Sequence, residues 1–404
     1  MTEQSRAARG RSFWINFSIS LVIIILVLVG IFSPLSGQIA RHSAETRGFR
    51  VPATYADENY RYYYQHLSST EQEAYRIICA ELPSFPQKIS IPFLTAGSMK
   101  DVFTAVSYDN PEFFFLAYHY SFSRTGAVNY FEPDYVLTKT EYKSRLRKLR
   151  LAADRFLRGA PRSGTDYDKE LFVHDKLVEQ TQYMTGDADM IYTAYGSLVN
   201  RRANCEGYAR AAVYLLKKLG VRSYAATGTA TRRDGSVENH MWNVVYVGGR
   251  PYMMDATFDD YSVENDRGAN GRTNGASHIY FNLSWPDIAK NHTLDDNDVG
   301  EPCRYEDQMY FIKNGLYFSS YEQALAALPG KIQANLSRGT RSIEMRFSNY
   351  VSYNQAIGAF LRGDKIYTML DSINRSLPAD RRVSSQKIEF VKDDQYQVIR
   401  IYFV

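Results

Sequence analysis

Between Ser12 and Ala40 there is no charged residue, and Trp14 to Phe32 is an almost unbroken apolar run with LVIIILVLV from Leu21 to Val29 at its centre. About 20 such residues cover the ~30 Å hydrocarbon layer of a bilayer, so the pattern predicts a membrane-spanning helix at residues 13–33. Arg6, Arg9 and Arg11 precede it and uncharged Ser33 to Gly37 follow it. The positive-inside bias therefore leaves residues 1–12 in the cytoplasm and the remaining chain outside. The run exceeds the ~7–15 residues of a signal-peptide core, which favours a retained anchor over a leader cleaved near Ser36 and Gly37. Polar residues 34–54, with Arg41, Arg47 and Arg50, read as a stalk.

Beyond the stalk the pattern divides into three units. In residues 55–160, Tyr60 to Tyr75 and Ala74 to Leu82 carry a helical period, with Thr70 and Glu73 spaced as a capping box. Phe113 to Tyr118, after the turn signal Asp109-Asn110-Pro111, reads as a buried strand, and Tyr142 to Leu157 as a helix. Gly159 to Gly164 marks a boundary. In residues 165–303, Lys169 to Gln182 is helical, and a second helix begins at Cys205. Its apolar stripe includes Ala209, Val213 and Leu216, Lys217 and Lys218 occupy its last turn, and Gly220 stops it. Ser223 to Thr227, Asn239 to Val247 and Pro251 to Phe258 are strand candidates. In residues 304–404, alternation at Ile343-Met345-Phe347, at Ile388-Phe390 and at Ile399-Ile401-Phe403 predicts strands, while Tyr353 to Leu361 and Ile366 to Leu377 read as helices. The overall expectation is an α+β protein.

Composition narrows the function. The 48 Lys+Arg against 44 Asp+Glu leave +4 over 404 residues, too little to suggest nucleic-acid binding. Three cysteines rule out a disulfide framework. Cys79 lies on an apolar helical period with Tyr75, Ile78 and Leu82 and reads as a buried thiol, and Cys303 carries no pattern. Cys205 differs, because a cysteine at a helix start faces the unpaired N–H groups and positive end of the helix dipole, which favour a thiolate.

The matching base is His240. Gly248-Gly249 joins the two strands that follow as a two-residue hairpin loop. If Val247 pairs with Arg250, opposed positions sum to 497, and His240, Trp242, Asp255 and Thr257 project from one face with Asp255 diagonal to His240. An orienting carboxylate needs that placement, and a one-residue slip would destroy it. Singly, each residue reads as structural, as His174 does on its helix. A zinc set drawn from Cys205, His240, His278 or His292 lacks CxxC or HxxxH spacing, and Asp295-Asp296-Asn297-Asp298 lacks the glycine and distal glutamate of a calcium loop. No metal or cofactor is expected.

The segments Tyr195-Gly196-Ser197-Leu198-Val199, Asn204-Cys205-Glu206-Gly207-Tyr208-Ala209, His240-Met241-Trp242-Asn243 and Asp255-Ala256-Thr257-Phe258-Asp259-Asp260 resemble the transglutaminase-like core of bacterial papain-like cysteine enzymes. Tyr280 to Ser284 with His292 resembles an extension that such members carry. The resemblance implies a papain-like fold over roughly 166–303, with Cys205 as nucleophile, His240 as base and Asp255 as orienting acid. It departs at Phe258, where many members have Trp. Trp242 and Tyr208 are the candidate substrate-binding residues. Proteases, amidases, cyclases and silent binding versions all share this core, so it leaves the substrate open. The expectation is a single-pass membrane protein of the cell envelope that performs acyl transfer or hydrolysis on peptide or cell-wall amides. The alternatives are a catalytically silent module that binds peptide or wall polymer, and an assembly factor whose flanking units do the work.

Overall fold

The computed structural model describes residues 50–125, 128–186, 189–260, 276–295 and 301–404. The expected membrane helix at 13–33 and most of the stalk lie outside them. Among the described residues no helix is long and apolar enough to cross a membrane.

The fold is mixed α+β and divides into two compact units. The smaller comprises residues 50–56, 66–106 and 117–134. Its helix α1 (Ser69–Glu81) buries Ala74, Tyr75, Ile77, Ile78 and Cys79. Strand β1 (Ile89–Ile91), helix α2 (Ala96–Asp109) and strands β2 (Leu116–Thr125) and β3 (Val128–Tyr135) follow, with the sheet ordered β1-β3-β2. Two expectations change here. The capping box of α1 uses Ser68 and Glu71, whose carboxylate takes the Ser68 N–H at 2.8 Å. The strand begins only at Leu116, because Phe113 to Phe115 form a turn. Phe115 is driven inward there, its ring 4.2 Å from that of Tyr142.

The larger unit comprises 57–65, 107–116 and 135–404. Helices α3 (Lys139–Phe156), α4 (Asp166–Gln180) and α5 (Cys205–Lys218) precede a sheet of β4 (Ser223–Thr231), β5 (Val237–Val247), β6 (Arg250–Met254) and β7 (His292–Leu294). The order is β6-β5-β4-β7, and every pair is antiparallel. The hairpin register is the one that a two-residue loop demands, with Val247 opposite Arg250 and Asn243 opposite Met254. Gly248 and Gly249 both take positive φ, 58° and 79°, which suits the tight turn.

Helix α6 (Tyr321–Arg338), strand β8 (Ser342–Phe347), helix α7 (Lys365–Ser376) and strands β9 (Ile388–Asp393) and β10 (Val398–Phe403) complete the chain. A second sheet runs Tyr317–Phe318, β8, β10, β9. Residues 304–404 do not stand apart from 165–303 as expected. Trp242, Tyr224 and Met253 of the first sheet lie in the same apolar cluster as Ile343, Met345 and Phe403 of the second. Every residue of β8 and β10 is buried, and Glu344 and Arg346 of β8 meet His278 and Asp287 of the preceding segment. Trp242 is 1% exposed at this junction. Trp242→Ala is expected to cost about 3–5 kcal/mol in equilibrium denaturation. A loss under about 1 kcal/mol would mean that the shared core contributes little.

Candidate active site

Cys205 is the first residue of α5. Asn204 caps that helix with extended backbone, and its side-chain oxygen accepts the Gly207 N–H at 3.2 Å. This cap anchors the turn that carries the thiol. Gly207 has no room for a side chain, since a Cβ there would meet the Ile191 carbonyl and the Ala203 side chain. One turn further on, Ala209 and Val213 pack on Ala225 and Met241, and the Ala209 carbonyl accepts from Asn243 at 3.0 Å. The helix is thereby seated on β4 and β5 with its thiol end partly exposed, while Cys79 and Cys303 are buried.

His240 lies on β5 opposite Gly228 of β4, and His292 lies on β7 opposite Ala230 of β4. Paired and alternate positions share a face, so both imidazoles project from the same side with only Gly228 and Ala230 between them. Asp255 follows directly after β6 and meets both rings. Its Oδ2 accepts from His240 Nε2 at 2.6 Å and from His292 Nε2 at 3.0 Å. Its Oδ1 accepts the backbone N–H groups of Thr257 at 2.9 Å and Phe258 at 3.2 Å. Four donors thus hold one buried carboxylate as an anion.

The electrostatics assign the charge. Burial works against ionisation of Asp255, but the His240 charge and the hydrogen bonds from both histidines hold its carboxyl well below the usual range. Burial also disfavours a charged His240, yet the attraction and hydrogen bond of Asp255, with a further contribution from Cys205, raise it to about 10. His292 goes the other way, pushed down by burial and by the His240 charge in spite of Asp255. The positive charge therefore sits on His240. Asp255 occupies Nε2 of that ring, which leaves Nδ1, a buried atom with no protein hydrogen bond in the resting geometry, as the nitrogen that can serve the Cys205 thiol.

Beside the thiol stands a polar group that sequence reading did not single out. Arg232 donates to the Tyr183 hydroxyl at 2.9 Å and pairs with Glu238 at 2.8 Å, and Glu238 lies 4.0 Å from His240 Nδ1. Burial, Glu238 and Cys205 together push Tyr183 up to about 12, so its hydroxyl keeps its proton. His292 was also missed as a partner of Asp255. No local spacing signals it, since it reaches the site only by pairing along β4.

Two assignments need correction. Tyr208 is 1% exposed, and its hydroxyl lies 2.8 Å from the Thr181 carbonyl and 2.7 Å from Asp260 Oδ2. Trp242 lies behind His240, its ring 6.0 Å away and nearly parallel, in the core. Both buttress the site from beneath, because their apolar area is spent on burial and cannot line an opening for substrate.

His240, Asp255 and His292 are close enough to hold a metal ion, with one donor atom of each within 4.8 Å of the others. All three side chains are essentially sealed from solvent. With no exposed donor to admit an ion or a water ligand, the set suits an acid–base triad better than a metal centre.

Residues 154–256 match the family model of the transglutaminase-like superfamily. Similar solved structures include a candidate cysteine protease from Cytophaga hutchinsonii, 22% identical with a TM-score of 0.23, over 28% of this chain and 37% of that one. A TGase matches at 14% identity and a TM-score of 0.25, over 50% of this chain and 58% of its own. A candidate protease from Parabacteroides distasonis matches at 9% identity and a TM-score of 0.21, over 33% and 35%. Less than two thirds of each of these chains is spanned. Comparison with curated proteins yields no match.

Proposed function

From a chain that carries a transglutaminase-like superfamily domain within a mixed α+β fold, we propose a membrane-anchored cysteine enzyme that performs acyl transfer or hydrolysis on peptide amides outside the cytoplasm. The observation that carries the chemistry is the His240–Asp255 hydrogen bond of 2.6 Å, with Cys205 acting on the same imidazole.

In this reading the Cys205 thiolate attacks the amide carbonyl carbon, a C–S bond forms, and the carbonyl oxygen takes the negative charge. The Cys205 backbone N–H, at the start of α5, is one donor available to that oxygen. Collapse of the intermediate breaks the C–N bond, and His240 gives its Nδ1 proton to the departing amine. Water or a second amine then attacks the thioester while His240 takes the proton back, and the thiolate leaves. Hydrolysis and crosslinking differ only in that second nucleophile.

The location follows from Arg6, Arg9 and Arg11 ahead of the apolar run. Envelope protein and cell-wall peptide are the abundant amides on that side, so they are the proposed substrates. Protease added to intact cells is expected to digest the large units while the protein sediments with membranes. A chain shielded from protease, or recovered soluble without its first ~35 residues, would overturn the anchored topology.

A further inference from the structure

Away from Cys205, a second histidine cluster joins α4, the segment 276–284 and β8. Asp175 Oδ1 lies 3.0 Å from His174 Nδ1 and 2.9 Å from His278 Nε2. The three donor atoms all lie within 4.8 Å of one another. Each ring is held at its other nitrogen by a buried carboxylate: His174 Nε2 meets Asp259 Oδ2 at 3.2 Å, and His278 Nδ1 meets Glu344 Oε2 at 2.7 Å. Those carboxylates are fixed in turn. Asp259 Oδ2 also accepts the Tyr280 N–H at 3.0 Å, and Glu344 Oε1 lies 3.3 Å from Arg400. The His278 ring stacks on Tyr310 at 3.7 Å.

We infer that His174 Nδ1, Asp175 Oδ1 and His278 Nε2 form a binding site for a divalent metal ion of the zinc type. Zinc bonds of about 2.0–2.1 Å to nitrogen and oxygen in a tetrahedron put donor atoms roughly 3.3 Å apart, so a shift of a few tenths of an ångström opens the two short pairs around an ion. A carboxylate on the remaining nitrogen of each histidine is the outer shell that fixes ring orientation and raises ligand basicity. Two histidines and one carboxylate are the nitrogen and oxygen donors that a borderline divalent ion accepts. The Asp175 side chain is 38% exposed, which provides an entry path and a position for a fourth, water ligand. The ion ties α4 to 276–284 directly and to β8 through Glu344. Linear spacing hides the site, because His278 lies 103 residues beyond Asp175.

The test uses metal-stripped full-length protein in detergent solution, titrated with zinc chloride and, as a spectroscopic probe, cobalt chloride. The expected result is about one equivalent bound, tetrahedral cobalt absorption, and a rise in Tm of about 5 °C at a hundredfold excess over Kd. Asp175→Asn and His278→Gln are expected to weaken binding by about 100-fold or more, and Glu344→Gln by roughly 10–100-fold. His240→Ala, in the other histidine cluster, is expected to bind zinc as the unaltered protein does. Absence of tetrahedral cobalt absorption from the unaltered protein overturns the site. So does binding that survives Asp175→Asn, or binding that His240→Ala abolishes. Circular dichroism of each variant separates lost binding from lost fold, and the cobalt spectrum of the unaltered protein decides the question if both ligand variants unfold.

Discussion

Cys205→Ala is expected to lower amide turnover by about 10⁴-fold or more with the fold unchanged, because the proposed covalent intermediate forms on its sulfur. The thiol is partly exposed at the first turn of α5, and the helix is seated by Asn204, Gly207 and Ala209, none of which depends on the sulfur. Release of amine from envelope peptides, together with rescue of a deletion strain, measures the loss. His240→Ala should stop turnover equally, since the imidazole that carries the proton in the proposed mechanism is gone. Mass spectrometry of Cys205→Ala recovered from its own membranes would identify whatever peptide or wall fragment stays bound. If Cys205→Ala restores the deletion phenotype as fully as the unaltered protein, the enzyme reading fails and the silent binding module replaces it.

Asp255→Ala is expected to cost about 3–5 kcal/mol of stability, because it leaves the buried charge of His240 without its hydrogen-bonded partner and takes the acceptor from His292 Nε2. In the unaltered protein the His240–Asp255 interaction is one term seen from two partners. From the histidine side, its contribution is complete below the ordinary value of 6.5 and is lost as pH rises through about 10. From the aspartate side, whose folded value is depressed, it is present above 3.8 and is lost as pH falls below that. The pair therefore stabilises most between about pH 4 and 6.5 and declines toward alkaline pH. Urea denaturation at intervals from pH 5 to 10 should show that decline in the unaltered protein and a flatter alkaline limb in Asp255→Ala. Parallel curves for the two proteins would exclude an imidazolium at His240. In the proposed mechanism Asp255 orients the base and does not itself react, so turnover should fall less completely than in Cys205→Ala.

Residues close in sequence made part of this site legible. The start of α5 at Cys205 follows from an asparagine cap before an apolar stripe, and the hairpin register follows from Gly248-Gly249, whose positive φ values admit a two-residue loop. Where local signals competed, packing chose between them. Ser68-x-x-Glu71 and Thr70-x-x-Glu73 both spell a capping box, and the frame with Ser68 forms at the start of the helix that buries Tyr75, Ile77 and Ile78. The apolar run at Phe113 offered no means of telling a buried turn from a buried strand, and the inward packing of Phe115 against Tyr142 made it a turn.

The order of thiol, imidazole and carboxylate along the chain and the face of the hairpin on which the last two meet are thus written locally, because a helix cap and a two-residue turn act over a few residues. That His292 shares Asp255, that Tyr208 and Trp242 are buried, and that His174, Asp175 and His278 converge is set by packing between distant segments. Those outcomes depend on β7 pairing with β4 and on one apolar core spanning both sheets of the larger unit, contacts between segments whose separation along the chain leaves no periodic trace.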